Sequence, residues 1–516
     1  MTFQYLFIRT VAILTFLTSS LLSQTPMGRT VPGRFIVSYR NGAVPSTAAA
    51  SAQTAGASLV QRHERLGIAI IQASTSSADQ LRATLIADPA VQSVVEDRIV
   101  SAHAISVRPA TAASSTPDAL YNSPQGWAVR QVGGFGSAVT PGPWNVTTGT
   151  GVRIAILDSG IDATHPDIAP NLALNLTEVD QSAATGMPSA CDDGSPQDQQ
   201  GHGTWTASLA AAALGPNTGA VAGVAPTATL LNIKILERMP SATTSADDPT
   251  GCNAGEASGL LSWVIAGIEE AVAQRADIVS MSLGTLVDIT TGDGAGLQAT
   301  FDQVTHAAAN AGVILIAAAG NDAYNLADRQ YIELPAQSRD VLAIVASTNP
   351  ACAENLTAAA SCVPGPITLP YYSNFGAPLN ALAAPGGSYP AGPDSDTAQA
   401  SGWIWGACSS GLPSTVSGVP TTQGQSFGCF GLGHTAYVQA MGTSASAPLA
   451  AGAAALILAA NPTWNAATVV AALRSSAVPV AGLPVPLIDV AALVHTQPVH
   501  PTTQHIVAKP MMTQQQ

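Results

Sequence analysis

The segment Val152-Arg-Ile-Ala-Ile-Leu-Asp-Ser-Gly160 decides the fold of this chain. It is an almost continuous apolar run that ends in an acidic residue and a glycine, the pattern of a strand buried on both faces and followed by a turn. Similar runs recur further along the chain. They are Val152–Leu157 itself, Ala228–Leu236, Ala276–Leu283, Val313–Ala319 and Val341–Ala346. Strands of this kind are typical of a parallel sheet.

Helical patterns alternate with these strands. The predicted helices cover residues 202–213, 255–275, 295–311, 444–460 and 465–476. Strands that alternate with helices indicate an α/β domain whose parallel sheet is covered by helices on both faces. We therefore predict one such domain over residues 125–492.

A smaller unit precedes this domain. Residues 32–104 show strand and helix signals in the order β-α-β-β-α-β, which is a recurrent α+β arrangement of the ferredoxin-like type. Residues 105–124 are rich in Ala, Ser, Thr and Pro, which predicts a linker or the N-terminal segment of a processed chain. Residues 493–516 lack periodicity, and we predict a disordered tail there.

The start of the chain has the pattern of a signal peptide over residues 1–23. Arg9 precedes the apolar run Val11-Ala-Ile-Leu-Thr-Phe-Leu17, which is too short to span a bilayer comfortably. An uncleaved membrane anchor is the competing interpretation. We expect a secreted protein, extracellular or periplasmic, without stable membrane association.

The charge balance limits the classes of partner that the chain is expected to bind. Only 10% of the residues are charged, and the formal net charge is −14. Nucleic acids and anionic membranes are bound through clustered Lys and Arg side chains. We therefore expect no nucleic-acid partner.

The six cysteines all follow the predicted signal peptide. An even number in an exported chain favours disulfides, and free buried thiols are the alternative. Close spacing favours Cys352–Cys362 and Cys408–Cys429, which leaves Cys191–Cys252. The cysteines show no Cys-x-x-Cys spacing and no Cys/His cluster that would indicate zinc.

Asp158 and His202 occupy positions where side chains can do chemistry. Asp158 ends the first apolar strand, and open α/β sheets build their sites at the carboxyl ends of such strands. His202 lies in Gly201-His-Gly-Thr204 and opens an Ala-rich helix. A buried aspartate needs a partner, and an imidazole N–H would satisfy it. Taken singly, a turn aspartate and a structural histidine explain them equally well.

Ser444 and Asn321 also lie at element ends. Ser444, in Gly442-Thr-Ser-Ala-Ser-Ala-Pro448, directly precedes a long apolar helix whose N-terminal N–H groups would stabilise negative charge. Asn321 follows an apolar strand, where its amide could donate to an oxyanion. The ordinary explanations are a helix cap for the serine and a turn for the asparagine.

Together these residues resemble the subtilisin-like serine proteases. The matching segments are Ile156-Leu-Asp-Ser-Gly-Ile161, Gly201-His-Gly-Thr204, Ser280-Met-Ser-Leu-Gly284, Ala318-Ala-Gly-Asn321 and Gly442-Thr-Ser-Ala-Ser-Ala-Pro448. The chain order Asp, His, Ser is that of subtilisin. The resemblance covers residues 125–492 and implies a subtilisin-like fold with serine endopeptidase activity.

The resemblance also implies a role for each site residue. Ser444 would be the nucleophile, His202 its general base, Asp158 the residue that orients the imidazole, and Asn321 an oxyanion donor. The substrate would pair as an extended strand with one segment and lie against another. These segments are Ser282, Leu283 and Gly284, and Ala318, Ala319 and Gly320.

Residues 32–104 resemble the inhibitory propeptide of this family. The resemblance implies an intramolecular inhibitor that the enzyme removes itself, by a cut near Ala104. It implies protein or peptide substrates and a zymogen, and we expect a monomer. Catalysis would need no cofactor.

A structural calcium site is a further implication. Asp167, in His165-Pro-Asp167, and Asn217, in the loop Gly215-Pro-Asn-Thr-Gly-Ala-Val221, resemble the side-chain ligands of the family's tight calcium site. Oxygen-rich loops suit Ca²⁺. An ordinary turn is the alternative.

Three departures from the family's pattern lie beside these motifs. Trp205 and Ala445 replace a histidine and a methionine that are common there, and Leu449-Ala450 replaces a His-Val pair. We interpret these as compensated core changes. Glu333 aligns near the base of the pocket for the residue before the cut, where a carboxylate would favour basic side chains; a surface glutamate is the competing interpretation.

Two other functions compete with that of a protease. A catalytically inactive secreted homologue could act as a binding or scaffold protein, but it would have no chemical reason to keep Asp158, His202, Asn321 and Ser444. A serine esterase on an α/β-hydrolase sheet would need a Gly-x-Ser-x-Gly elbow and the order Ser, Asp, His. Ser444 comes last and lacks that elbow.

Overall fold

A computed structural model of the chain describes most of the sequence. The described residues are 29–74, 76–102, 106–109, 117–136, 141–179, 189, 191–241, 244–246, 248–252, 255–348, 366–376, 379–388, 402–409, 415–416, 419–420 and 429–491. The predicted signal peptide, the Cys352–Cys362 pair and the predicted tail lie outside these residues.

The N-terminal unit has the predicted β-α-β-β-α-β order. Its elements are β1 (Thr30–Tyr39), α1 (Ala48–Thr54), β2 (Ala57–His63), β3 (Ile68–Ala73), α2 (Ala78–Ile86) and β4 (Val91–Ala102). The four strands form an antiparallel sheet in the order β4-β1-β3-β2. Both helices lie on one face, where Leu81 and Leu85 pack on Phe35 and Val37 in a small core. The next strand, β5 (Ser106–Pro109), falls within the predicted linker.

The main domain is built on a seven-stranded, wholly parallel sheet in the order β16-β15-β13-β11-β6-β8-β7. The strands of the domain are β6 (Arg153–Asp158), β7 (Leu172–Thr177), β8 (Thr229–Lys234), β9 (Leu236–Met239), β10 (Glu256–Leu260), β11 (Ile278–Met281), β12 (Leu283–Asp288), β13 (Ile314–Ala318), β14 (Tyr331–Leu334), β15 (Val341–Ser347), β16 (Ala381–Pro385), β17 (Ile404–Ala407), β18 (Thr415–Val416), β19 (Val419–Pro420) and β20 (Tyr437–Met441). The predicted fold class, a parallel sheet flanked by helices, is confirmed.

Helices cover both faces of this sheet. They are α3 (Trp127–Gln131), α4 (His202–Ala211), α5 (Leu261–Ala273), α6 (Gly292–Asn310), α7 (Thr443–Ala460) and α8 (Ala466–Ser476). One core contains Ile154 and Ile156 of β6 with α4, α7 and α8. The other contains Ala155 and Leu157 of the same strand with α5 and α6. Alternate side chains of this buried strand therefore pack into two different cores, and this explains why the sequence of the strand is continuously apolar.

The predicted helix over 255–275 is wrong in its first turn and a half. Glu256–Leu260 form strand β10, and the helix starts only at Leu261. Pairing explains the difference, because β10 lies between β9 and the end of β4 and satisfies its backbone on both edges. The edge of the N-terminal unit thus completes a second sheet of the main domain.

Polar contacts also join the two units. Asp97, fully buried on β4, accepts hydrogen bonds from Ser262 N (3.1 Å) and Ser262 Oγ (2.5 Å) at the start of α5. Arg34 Nε donates to the same carboxylate over 3.0 Å. On α6, Arg82 Nη2 donates to Asp293 over 2.8 Å. An aspartate at a helix N-terminus is favourable, so the N-terminal unit caps a helix of its neighbour.

Helix α7 is long and apolar enough to cross a membrane by length and composition, and it is the one such helix among the described residues. In the fold, however, 83% of its apolar window is buried. It runs beneath the parallel sheet and packs on α4 and α8. The helix therefore has the environment of a core helix.

Candidate active site

Asp158 and His202 meet at the carboxyl edge of the parallel sheet. Strand β6 ends at Asp158 and helix α4 begins at His202, and both side chains are fully buried. His202 Nδ1 lies 2.7 Å from Asp158 Oδ1. Thr206 Oγ1 donates to the other carboxylate oxygen over 3.2 Å. Because a carboxylate can only accept, the proton sits on Nδ1, and Nε2 is left as the basic nitrogen.

A second buried aspartate, for which no role was predicted, holds this pair in place. Asp198 Oδ1 accepts from Gly201 N over 2.7 Å and from Ser159 Oγ over 3.0 Å, and Oδ2 accepts from Thr204 N over 2.8 Å. Burial raises the pKa of Asp198, although hydrogen bonds from Thr204 and the backbone oppose the shift. One carboxylate therefore ties the residue after Asp158 to the first turn of α4. An acidic residue four positions before His202 was the available signal, since such residues often cap helices.

Ser444 lies in the first turn of α7, behind the N-cap Gly442, whose φ of 145° suits glycine. Its Oγ donates to Ser282 O over 3.2 Å, and Ser282 Oγ donates back to Ser444 O over 2.9 Å. Among the described residues, His202 Nε2 is buried and has no hydrogen-bond partner. The structure thus joins Asp158 to His202 and Ser444 to Ser282, while the bond between serine and imidazole is not formed. Such bonds commonly tighten only when substrate is bound.

Asn321 is fixed next to Ser444. Its Oδ1 accepts from Thr443 N and from Thr443 Oγ1, each over 2.9 Å. Since the oxygen end is held by the residue before Ser444, the amino end faces the opposite direction. The Ser444 N–H lies at the same helix start, so the two predicted oxyanion donors are neighbours.

The predicted substrate cleft contains a segment of the chain itself. Strand β4 ends between β10 and β12, with Ala102 opposite Leu283 and Ser101 opposite Gly284. After the three residues 103–105, which lie outside the described chain, β5 pairs with β20, with Ser106 opposite Met441. Strand β20 leads through Gly442 directly into α7. Ala102 and Ser106 therefore pair with strands on two sides of the start of α7.

The comparison with known families identifies the main domain. The model of the subtilase family matches residues 149–504. The chain belongs to the subtilase family.

Individual subtilases resemble parts of the chain. Subtilisin NAT of Bacillus subtilis subsp. natto is 31% identical over 330 residues, which are 64% of this chain and 61% of that protein. The intracellular serine protease of Paenibacillus polymyxa is 34% identical over 185 residues, 35% of this chain and 45% of that protein. The chain thus spans about half the length of such relatives.

A solved structure shows the same fold. The epidermin leader peptide processing serine protease of Staphylococcus aureus aligns with a TM-score of 0.60 at 17% identity, covering 90% of this chain and 99% of that one. At this identity the likeness concerns the fold. It extends over more of the chain than the family match, because it takes in the region before residue 149 as well.

The subtilase site has an aromatic wall that the sequence did not reveal. Trp205 and Phe430 meet the His202 ring edge-on, with centroids 5.8 and 6.0 Å away. The Cys408–Cys429 disulfide holds Phe430 there and packs on Gly201, where a Cβ would lie 2.7 Å from Cys408 Sγ. Two of the three predicted disulfides, this one and Cys191–Cys252, are present among the described residues.

The departures from the subtilase pattern lie in the core. Trp205, Ala445 and Leu449 are fully buried and belong to the same apolar cluster. Trp205 is also anchored through Nε1, which donates to Ile404 O over 3.4 Å. The large indole therefore occupies volume between α4 and β17, in keeping with a compensated packing change.

The two predicted calcium ligands differ in solvent exposure. Asp167 is fully buried, its Oδ2 accepts from Ala220 N over 3.2 Å, and its Oδ1 has no hydrogen-bond partner among the described residues. Asn217 is exposed in the same loop. Asp118, which was not predicted, accepts from Gly215 N over 3.2 Å and from Thr218 Oγ1 over 3.3 Å. Burial and the charge of Asp167 raise the pKa of Asp118, so a cation beside the two carboxylates would be favourable.

Proposed function

We propose that this subtilase is a secreted serine endopeptidase, made as a precursor that cuts itself. The observation that supports this most directly is the course of its own chain. Residues up to Ala102 pair with β10 and β12 on one side of Ser444, and residues from Ser106 pair with β20 on the other. A peptide to be cut would take the same path, held mainly by main-chain hydrogen bonds.

The proposed reaction is acyl transfer. Ser444 Oγ leaves the Ser282 carbonyl, gives its proton to His202 Nε2 and attacks the peptide carbonyl carbon. Asp158 holds the imidazole and stabilises its cation. The oxyanion accepts hydrogen bonds from Asn321 Nδ2 and Ser444 N, and the imidazolium then protonates the leaving amine. Water deacylates Ser444 by the same base.

The N-terminal unit would act as an intramolecular inhibitor. It buries the cleft with β4 and anchors itself on α5 and α6 through Asp97 and Arg82. While β4 fills the cleft, no other peptide can pair with β12. Secretion is proposed on the predicted signal peptide and on the two disulfides, which persist in oxidising compartments. We propose protein or peptide substrates and a monomer.

A phosphonate probe tests the enzymatic proposal. We expect purified protein that has lost its N-terminal segment to be labelled on the tryptic peptide that contains Ser444, since the probe requires a serine activated by a base. Unprocessed precursor from the same preparation is the control, and it should label more slowly because its cleft is filled. Failure of the processed protein to label at Ser444 would support the inactive homologue instead.

We also propose a structural calcium ion at Asp167, with Asp118 and Asn217 as further oxygen ligands. Its role would be stability, since catalysis as proposed uses none of these residues. EGTA should then lower the thermal midpoint by roughly 5 °C, because loss of a ligand that binds only the folded state removes its stabilisation. Excess CaCl₂ should restore the midpoint, and an Asp167→Asn variant should not respond. A midpoint that EGTA leaves unchanged removes this site.

A further inference from the structure

A cleft of about 1040 Å³ opens on the main domain away from the triad. Two of its rings pack against the core that contains α4, α7 and α8. Three aromatic side chains, two prolines and a leucine supply most of its apolar lining, and we call it the aromatic groove. These residues are Pro117, Tyr121, Phe135, Trp144, Leu214 and Pro216.

The rings of the aromatic groove are partly exposed and held in place. Tyr121 and Trp144 lie with their centroids 5.1 Å apart and their planes inclined by 33°. Tyr121 Oη donates to Gly134 O over 3.2 Å, and Trp144 Nε1 donates to Val224 O over 2.9 Å. Rings that are fixed before binding lose little conformational freedom when a ligand arrives. Fixed aromatic grooves are the surfaces on which proline-rich peptides dock.

The described chain ends beside this groove. Val490 N donates to Val132 O over 3.2 Å. A Cβ added to Gly133 would lie 2.9 Å from the backbone nitrogen of Ala491, the last described residue. Gly133 stands two positions before Phe135 of the groove. Residues 492–516 therefore begin next to the groove wall.

The sequence beyond Ala491 contains the motif that such a groove binds. Pro498-Val-His-Pro501 has the spacing Pro-x-x-Pro, and Pro498 is the seventh residue after Ala491. In a polyproline II helix the two prolines lie on one edge, about 9 Å apart. Seven extended residues span up to about 23 Å, which is enough to bring Pro498 from Ala491 onto the rings. Residues 492–516 contain no Asp or Glu, so no acidic side chain of this segment opposes docking on an acidic protein.

We propose that residues 492–504 dock in the aromatic groove, with Pro498 and Pro501 against its rings. The tether makes this binding intramolecular, and a short tether gives an effective concentration in the millimolar range, so a weak intrinsic affinity fills the groove. A segment that builds no core of its own becomes ordered when it binds in this way. Tyr121 and Phe135 lie between the proposed cut and β6, so the docked segment would fasten that stretch to the domain.

Photo-cross-linking in the full chain tests the docking. Ser444→Ala prevents cutting, and benzoylphenylalanine replaces Leu214, which is exposed on the groove rim. After illumination, mass spectrometry should find a cross-link to residues 492–504 in a product with the mass of one chain. The same cross-linker at Ile86 is the control. Ile86 is exposed on α2 of the N-terminal unit, which packs on α5 and α6, and it should give less than about a tenth of that product.

Substitutions in the motif separate docking from chance contact. Pro498→Ala together with Pro501→Ala should lower the cross-link yield by about fivefold or more, because the polyproline conformation is no longer preset. Pro510→Ala, in the same segment but outside the motif, should leave it unchanged. Asn122, also exposed in the groove lining, provides a second position for the cross-linker should the Leu214 variant not accumulate. Cross-links only to residues 110–116, only to a second copy, or to no residue of 492–504 overturn the inference, as does a yield that the double substitution does not change.

Discussion

The Ser444→Ala precursor is expected to keep its N-terminal unit, whereas wild type loses residues up to the 103–105 region. The cut requires a nucleophile at the start of α7, and Ala102 and Ser106 pair with strands on two sides of that point. Without Oγ, the peptide still lies in the cleft but cannot be acylated. Loss of the nucleophile of such a site typically lowers kcat by about 10⁶-fold, which stops processing on any practical timescale. Mass spectrometry of the two secreted proteins measures the difference directly.

Ser446→Ala is the matched control for this experiment. Ser446 is equally buried two residues further along α7, and its Oγ donates to Ala384 O and Pro385 O over 3.1 Å. The Ser446→Ala variant therefore loses the same atom, a serine Oγ, from the same helix and leaves the proposed nucleophile unchanged. We expect normal processing of this control. Identical masses for wild type and Ser444→Ala would contradict self-processing.

The sequence predicted those parts of the fold that depend on local pattern. Strand β6 has Ile154 and Ile156 in one core and Ala155 and Leu157 in the other, and such two-sided burial is visible as a continuous apolar run. Strand β10 could not be recognised in this way. Its five residues run into α5 without a break, and pairing with β9 and with the edge of β4, which is more than 150 positions away in sequence, makes them a strand.

The residues of the candidate site also fall into those that local sequence could predict and those that it could not. Asp158, His202 and Ser444 stand at element ends within recognisable motifs, so sequence placed them near one edge of the sheet. Asp198 and Phe430 escaped notice because their roles depend on contacts across loops. Asp198 reaches Ser159 of another segment, and Phe430 reaches His202 only because a disulfide fixes its loop. The place of Asp198 before α4 signals a helix cap, but neither its contact with Ser159 nor that of Phe430 with His202 has a local signature.

The contacts between the N-terminal unit and the main domain would serve two purposes. The strand that lies in the cleft is also the strand that completes the sheet of β9, β10 and β12, and its Asp97 caps α5. Inhibition and folding support would therefore come from the same contacts, and a cut beside Ala102 would leave those contacts intact. Release of the N-terminal unit must then involve a step after the first cut.

Asp158→Asn is expected to slow self-processing by about 10⁴-fold without disturbing the fold. Asp158 Oδ1 now accepts from His202 Nδ1 over 2.7 Å, which leaves Nε2 unprotonated for the Ser444 proton. An asparagine amino group at this position would donate to Nδ1 and force the proton onto Nε2. The imidazole would then be correctly placed but in the wrong tautomer to act as a base.

Time-resolved mass spectrometry of the precursor measures this rate, and a thermal melt checks the fold. Thr206→Val is the comparison, because it removes only the hydroxyl that donates to Asp158 Oδ2 and should slow processing far less. The double variant Asp158→Asn/Ser444→Ala should be no slower than Ser444→Ala alone, since residues that act as one unit are not additive. Processing of Asp158→Asn within tenfold of wild type would show that His202 does not depend on this carboxylate.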